Sequence, residues 1–301
     1  MIARFVGEEP GPLLVVLGGL HGNEPSGVNA LRRVASALDA LRARLRGDVV
    51  MLAGNVTALE ENRRFIAHDL NRGWSDERLE ALRRNASGVD AEDREQLELA
   101  SAIEHAFATA RGPAHLVDLH ATSAAGIPFS LCTDTPEARA FAAAFPVTLV
   151  LGLLDVLHGT LAGYYGSRCV AAVVEGGQNS SPATERHHEA VVWLAMVAAG
   201  ILDADAVPGL WAYRETLART RGDLPRALHV HHRHAITAAD RFRMEPGFAN
   251  IQRIAAQQLL AHDKRGEIRA PGEGFVLMPL YQAQGDEGFF LGHEVGEAKE
   301  A

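Results

Sequence analysis

The amino-acid sequence predicts an α/β protein with a mixed sheet, helices on both faces of that sheet, and a small β-rich domain at the C-terminal end. Over the first two thirds of the chain, short apolar runs alternate with amphipathic helical patterns. The apolar runs are continuous, which is typical of strands that are covered on both faces. After about residue 205 the pattern changes to short strands and turns. The predicted domains are therefore 1–205 and 206–301.

Each predicted strand is a short run of leucines or β-branched residues that ends in glycine or polar residues. The strands are predicted at 13–17, 48–53, 114–119, 128–133, 147–151 and 170–174. Helices are predicted at about 25–45, 90–109 and 184–199. Pro25 suits the first position of its helix, where a missing N–H costs nothing, and the acidic residues from Asp90 onward suit a first helical turn. From His229 onward, turn signals separate short strand patterns.

The composition limits the classes of partner. The chain has 301 residues, of which 47% are apolar, so it can bury a large core. There are 29 basic and 38 acidic residues, and the net charge of −9 disfavours nucleic acid and anionic membranes as partners. The N-terminal residues lack signal-peptide features, and the apolar runs are too short to span a bilayer. Only Cys132 and Cys169 are present, which is too few for a disulfide framework, so we expect a cytoplasmic location. The sequence leaves the oligomeric state open, and a homo-oligomer is one possibility.

The segment from Gly18 to Pro25 follows a predicted strand, opens a predicted helix, and contains His21 and Glu24. A ring nitrogen and a carboxylate three residues apart can turn toward one point, and both are ordinary zinc ligands. The glycines at 18, 19, 22 and 27 do not have the G-x-G-x-x-G spacing of a dinucleotide-binding loop. For this segment taken alone, a plain structural turn is an equally weighted alternative.

His120 and Glu175 both end predicted strands. His120 could be a third zinc ligand that leaves a fourth position for water, and Asp118, two residues earlier, could orient its ring. Glu175 could take a proton from a metal-activated water and pass it to a leaving amine. A structural histidine at a strand end and a glutamate that caps a turn are the alternatives. Polar residues past several strand ends favour one shared crevice, because ligands of α/β sheets bind there.

Two arginines, an asparagine and an aspartate lie in a predicted loop at 64–72. Arg64 could polarise a scissile carbonyl and stabilise the oxyanion. Asn71 and Arg72 could bind a substrate carboxylate, because a guanidinium group matches a carboxylate in a two-pronged geometry. The alternative is a solvated surface loop with scattered ion pairs.

In order along the chain, Gly-x-His-Gly-Asn-Glu, Asp-Leu-Asn-Arg, Asp-Leu-His and a strand ending in Glu-Gly resemble the succinylglutamate desuccinylase/aspartoacylase family, which is related to the zinc carboxypeptidases. The resemblance covers most of the predicted N-terminal domain. It implies a zinc-carboxypeptidase-like α/β fold, one Zn²⁺ per chain, and hydrolysis of an amide next to a carboxylate. The roles it implies are zinc on His21, Glu24 and His120, Arg64 at the carbonyl, Asn71 and Arg72 on substrate, and Glu175 as the base.

Two positions depart from the pattern of that family. Aspartoacylases have a substrate-binding tyrosine near the C-terminus, where the nearest residues here are Phe289 and Phe290, which lack a hydroxyl group. For the arginine that precedes the base in those enzymes, the candidate here is Arg168, a substrate-binding residue by that match alone. The first departure predicts that N-acetylaspartate is a poor substrate.

These residues lead to the hypothesis of a zinc-dependent amidohydrolase that cleaves an N-acyl amino acid or a related small carboxylated amide. A zinc carboxypeptidase on short peptides would use the same metal site and differ in its pocket. A zinc-containing carboxylate-binding protein without turnover is a third hypothesis, but such a protein needs neither Glu175 nor Arg64. The histidines at 229, 231, 232 and 234 are interpreted as a partly exposed strand at the domain junction, with a second metal site as the alternative.

Overall fold

A computed structural model describes residues 1–85, 89–179 and 181–295 as fourteen strands and nine α-helices. The strands are β1 Ala3–Val6, β2 Glu9–Gly18, β3 Arg46–Ala53, β4 Ala114–Thr122, β5 Phe129–Cys132, β6 Thr148–Leu151, β7 Val170–Gln178, β8 Ala227–Ala235, β9 Arg243–Met244, β10 Gln252–Ile254, β11 Leu259–Asp263, β12 Gly266–Arg269, β13 Gly274–Leu277 and β14 Glu287–Glu294. The helices are α1 Ser26–Leu38, α2 Val56–Glu60, α3 Asp76–Arg84, α4 Ala91–Ala108, α5 Pro136–Ala143, α6 Leu153–Val156, α7 Leu161–Tyr165, α8 Pro182–Ala198 and α9 Leu210–Arg221.

Eleven of these strands form one mixed sheet in the order β1-β3-β2-β4-β7-β5-β6-β8-β14-β13-β10. Strands β3, β2, β4 and β7 run parallel to one another, so their carboxyl ends lie at the same edge of the sheet. Strand β5 runs antiparallel to β7. A separate three-stranded sheet has the order β12-β11-β9. The expected mixed α/β sheet is thereby confirmed.

Helices cover both faces of the sheet, as strand β2 shows residue by residue. Leu14 and Val16 belong to a core cluster with residues of α1 and α8, whereas Leu13 and Leu17 belong to a second cluster with residues of α4. Successive side chains of a strand point to opposite faces, so a strand covered on both faces needs a continuous apolar run. All four of these leucine and valine side chains are buried.

The predicted strands and helices of the first two thirds are confirmed, with differences at their ends. Helix α1 ends at Leu38, and the chain continues as a 3₁₀ helix over Asp39–Arg44, which buries no residue and therefore has no apolar face to hold it as an α-helix. Strand β1 and helices α2, α3, α5, α6, α7 and α9 were not predicted. Helices α2, α6 and α7 have only four or five residues, and α3 and α9 bury only two residues and one residue respectively, so few apolar positions mark them.

The β-rich C-terminal region extends the same large sheet. Strand β8 pairs in parallel with β6, with Leu149 opposite Ala227. One core cluster contains Phe129 and Val150 from the first region together with Leu228 and Phe275 from the second. The predicted boundary after residue 205 falls within a short 3₁₀ helix over Ala204–Ala206, between α8 and α9, and the sheet and its core continue across it.

No helix among residues 1–85, 89–179 and 181–295 is both long enough and apolar enough to cross a membrane.

Candidate active site

The residues singled out at strand ends meet at one edge of the sheet. His21 and Glu24 lie in the loop after β2, His120 lies near the end of β4, and Glu175 lies in β7 directly opposite His120 in the parallel register. A turn in this loop brings the two residues together, because the N–H of Glu24 donates to the carbonyl of His21 at 3.1 Å. The expected crevice beyond the carboxyl ends of the strands is therefore present.

His21, Glu24 and His120 present a set of metal ligands. The Glu24 carboxylate lies between the two rings, with Oε1 2.9 Å from His21 Nδ1 and Oε2 3.1 Å from His120 Nδ1. All three side chains are buried, and their ligand atoms lie within 4.8 Å of one another. Two imidazoles and one carboxylate are a donor set that zinc takes in catalytic sites, where three protein ligands leave a position open. The residues present thus fit a zinc ion.

Two further carboxylates hold the rings of the histidines. Asp118 Oδ2 lies 3.0 Å from His120 Nε2, and Asp69 Oδ1 lies 3.1 Å from His21 Nε2. Burial alone would lower the pKa of His120, but the charge and hydrogen bond of Asp118 outweigh it and raise that pKa well above its ordinary value. Carboxylates at the far ring nitrogen are typical of metal-binding histidines, because they fix the tautomer and the ring orientation.

Glu175 is a buried carboxyl group with a free oxygen. Its Oε2 atom has no hydrogen-bond partner among the described residues, and burial raises the pKa of Glu175 to about 7. A carboxyl group of this pKa can both accept and donate a proton near neutral pH. Its position opposite His120 places it beside the ligand set.

Arg64 is a buried guanidinium group that two carboxylates keep in the site. Its Nη2 atom donates to Asp69 Oδ2 at 2.9 Å, and its Nη1 atom lies 3.6 Å from Glu24 Oε1. Burial opposes its charge, but Asp69 and Glu24 raise the pKa of Arg64 above its ordinary value. Arg64 is therefore a fixed positive charge next to the ligand set.

Asn71 and Arg72 lie in a 3₁₀ turn that begins after Asp69, and both reach the site. Asn71 Oδ1 accepts the N–H of Leu161 at 2.8 Å, and its amide nitrogen lies 3.3 Å from His120 Nε2. Arg72 Nη2 donates to Glu287 Oε2 at 3.0 Å. Arg72 is thus held by a carboxylate from the C-terminal region.

These side chains surround a cavity of about 810 Å³, measured with its open mouth. The charged residues of its lining are Glu24, Arg64, Arg72, Asp118, Glu175 and Glu287. The apolar residues of its lining include Leu131, Leu153, Leu154, Leu157, Val173, Met278, Leu280 and Phe290. Residues after 277 contribute much of one wall, so the C-terminal region completes the cavity.

The structure separates Arg168 from the other candidates, which corrects its assignment to substrate binding. Arg168 is exposed and does not line the cavity; its guanidinium carbon lies 5.4 Å from the ring centre of Tyr165 and 5.6 Å from that of Phe107. Cation–π contacts with these two rings account for its position.

The two phenylalanines near the C-terminus, Phe289 and Phe290, point to opposite faces of β14. Phe290 lines the cavity, but Phe289 faces the other side of β14, where its ring stacks on His234 with the centres 4.7 Å apart. Gln282 and Glu287 are the polar side chains that the stretch after Pro279 brings to the cavity, and Glu287 is the charged one.

Two histidines of the cluster on β8 lie beside His293 of the neighbouring strand β14. His231 Nδ1 lies 3.3 Å from His293 Nδ1, and the ring of His229 lies 5.7 Å from that of His293. All three are exposed. The histidines at 229, 231, 232 and 234 thus lie on a partly exposed strand, β8, and the alternative of a second metal site stays untested.

Sequence reasoning missed two groups that act on the ligand set. His188 was not singled out; it is fully buried, and its Nε2 atom donates to the backbone carbonyl of His120 at 2.9 Å. Asp69 lies in the predicted loop at 64–72, where no role was assigned to it. Its position just before a short turn, where its side chain accepts the N–H of Asn71, was the available signal.

Comparison with known families identifies the chain. The family model described as "Succinylglutamate desuccinylase/Aspartoacylase catalytic domain" matches residues 10–175, which is more than half of the 301 residues. The chain belongs to this family.

Solved structures share the fold over nearly the whole chain. The succinylglutamatedesuccinylase/aspartoacylase from Rhodobacter sphaeroides has a TM-score of 0.72 and 19% identity, with 98% of this chain and 88% of that chain covered. The product-bound ectoine utilization protein EutE (DoeB) from Ruegeria pomeroyi has a TM-score of 0.67 and 20% identity, with 95% and 87% covered. Identities this low show the fold alone.

A sequence relative matches over a shorter stretch. The succinylglutamate desuccinylase of Photorhabdus laumondii is 35% identical over 65 residues, which are 22% of this chain and 20% of that protein. The match therefore spans about a fifth of the relative's length.

Proposed function

We propose that this protein is a zinc-dependent amidohydrolase that cleaves the amide of an N-acyl amino acid or a related small carboxylated amide. The observation that carries the proposal is the convergence of His21, Glu24 and His120 beside Glu175, a buried carboxyl group with an unpartnered oxygen, in one cavity. A structural zinc site would need neither an adjacent carboxyl group nor a cavity. Family membership supports a deacylase activity.

His21, Glu24 and His120 would hold the ion, and Asp69 and Asp118 would orient the two rings. When bound, zinc is a Lewis acid that lowers the pKa of water and polarises a carbonyl. In the proposed reaction, Glu175 accepts a proton from the attacking water and delivers it to the leaving amine.

Arg64 is proposed to stabilise negative charge that develops on the substrate carbonyl oxygen. Asp69 and Glu24 fix its guanidinium group before substrate arrives, so no reorganisation is needed during the reaction. Asn71 and Arg72 are proposed to bind the substrate carboxylate. Arg72 donates to the Asn71 carbonyl and to Glu287, and a guanidinium group has five N–H donors in all, so donors remain for substrate.

Two alternatives use the same residues. A carboxypeptidase on short peptides would share the ligand set and the carboxylate-binding residues and would differ in the size of group accepted by the cavity. A carboxylate-binding protein without turnover would leave the Glu175 carboxyl group without a task. The closure of one cavity wall by the C-terminal region favours a small amide as the substrate.

The first test is metal content. We expect one zinc ion per chain in the purified protein, and His120→Ala should lose most of it while keeping the fold, because the two main cores do not depend on the metal. Elemental analysis and circular dichroism would measure both. Stoichiometric zinc in His120→Ala would contradict the ligand assignment.

The second test is a substrate panel of N-acyl amino acids, their amidated counterparts and dipeptides. The proposal expects hydrolysis of N-acyl acids and much weaker hydrolysis of the amidated compounds, which offer no carboxylate to Asn71 and Arg72. Preference for dipeptides would favour the peptidase. Tight binding without turnover of any compound would favour the binding protein.

A further inference from the structure

Glu287 is a carboxylate that the C-terminal region places in the wall of the cavity. It is the first residue of β14, and its side chain is only 10% exposed. It lies 215 residues from Arg72 along the chain, and no sequence motif marks it.

The carboxylate of Glu287 joins two arginines from different parts of the fold. Its Oε2 atom accepts from Arg72 Nη2 at 3.0 Å, and its Oε1 atom accepts from Arg233 Nη2 at 3.0 Å. The Nη1 atom of Arg72 donates to the carbonyl of Asn71 at 2.9 Å. The Nη2 group of Arg72 therefore donates to Glu287 and is not available to a second carboxylate on the substrate.

The charges of the cavity also limit the number of carboxylates that a substrate can bring. Among the described lining residues, the two guanidinium groups of Arg64 and Arg72 face four carboxyl groups. One substrate carboxylate can bind near Asn71 and Arg72, but a second would face Glu287 without a positive partner, and like charges placed together oppose binding.

Apart from these charged residues and the two histidines, the described cavity wall is uncharged. It includes the apolar side chains of Leu131, Leu153, Leu157 and Phe290, together with the polar residues Thr122, Ser123, Thr160 and Gln282. Such a wall accepts an apolar group and excludes a charge, because an unpaired charge loses its hydration on burial.

We propose that Glu287 determines specificity by excluding a second substrate carboxylate, so that the substrate is an N-acyl amino acid with an uncharged side chain and an uncharged acyl group. This inference rests on the proposed function. It deepens that function, because it names the substrate class from the position of Glu287 in the fold.

The test uses isosteric substrate pairs that differ only in charge. N-acetylglutamine is compared with N-acetylglutamate, and N-acetylasparagine with N-acetylaspartate, in the wild type and in Glu287→Gln, which keeps the shape and removes the charge. We expect the wild type to prefer the neutral member by at least about tenfold in kcat/KM, and Glu287→Gln to lose most of that preference. Glu294→Gln, on the exposed end of the same strand, should keep it.

A binding measurement separates this inference from the proposed function. Calorimetry with the same four compounds in a Glu175→Gln background reports the charge preference without turnover. If the wild type hydrolyses none of the compounds, the proposed function is overturned, and the binding preference still decides the role of Glu287. An equal preference in the Glu287→Gln and Glu294→Gln proteins, by kinetics or by calorimetry, would overturn the role of Glu287.

Discussion

At the scale of single residues, the Glu175 carboxyl group carries the proposed chemistry. We predict that Glu175→Gln retains zinc and loses turnover by about 10²–10⁴-fold, because an amide cannot accept the proton that a carboxylate accepts. Elemental analysis and steady-state kinetics would measure both quantities. Glu273→Gln, at an exposed position, is the matched control. Activity near the wild-type level in Glu175→Gln would remove Glu175 from the mechanism.

His188 makes stability depend on pH. Burial lowers its pKa from the ordinary 6.5 to about 4, so the folded protein favours the neutral ring. Its contribution is complete above pH 6.5, where the ring is neutral in both states. It is lost progressively as the pH falls from 6.5 toward 4, because the unfolded chain binds the proton first. At pH 5 the expected loss is about 2 kcal/mol.

The variant His188→Gln should therefore show a smaller fall in the free energy of unfolding between pH 7 and pH 5. Glutamine can still donate to the His120 carbonyl and does not titrate. Urea unfolding of the metal-free protein at both pH values would measure the difference. The exposed His105→Gln is the control. An identical pH dependence in the wild type and His188→Gln would contradict this role.

At the scale of elements, the loop between β2 and α1 positions two of the proposed metal ligands through close backbone packing. A Cβ atom at Gly22 would overlap the backbone of Ala58 and Arg63. We predict that Gly22→Ala costs about 1–3 kcal/mol of stability and weakens zinc retention, because His21 and Glu24 flank the displaced position. Thermal unfolding and chelator competition would report the two effects.

Gly272→Ala is the control for this prediction, because nothing lies within 4 Å of a Cβ atom built at Gly272. It should leave stability and zinc retention close to those of the wild type. Wild-type zinc affinity in Gly22→Ala would show that the loop tolerates movement without loss of the site.

At the scale of the whole molecule, the continuous sheet joins the two predicted domains. Strand β8 continues the sheet beyond β6, and Phe129 packs in one core with Leu228, Phe275 and Phe290. We predict that residues 1–205 alone do not fold cooperatively, because removal of β8 and β14 would expose this core and the edge of β6. Denaturant unfolding and proteolysis of the fragment would test this. A stable, cooperatively unfolding fragment would support two independent domains.

Much of this molecule follows from local sequence. The six apolar runs of the first two thirds predicted β2 to β7, because a strand covered on both faces needs apolar residues on both. His21, Glu24, His120 and Glu175 could be singled out because each stands where a strand ends, and parallel strands bring such positions to one edge. Among the elements that were not predicted, helices α3 and α9 bury only two residues and one residue respectively, so few apolar positions marked them in the sequence.

The alternation of strands and helices and the candidate ligands could be predicted from the sequence, because burial and strand ends leave a periodic local pattern. The packing of the folded chain was needed to show that Glu287 joins Arg72 and Arg233, that His188 supports His120, and that Arg168 packs on aromatic rings away from the cavity. These contacts join residues far apart in the chain or depend on the direction of a side chain. Sheet register and helix packing set both, and neither leaves a repeating signal in the sequence.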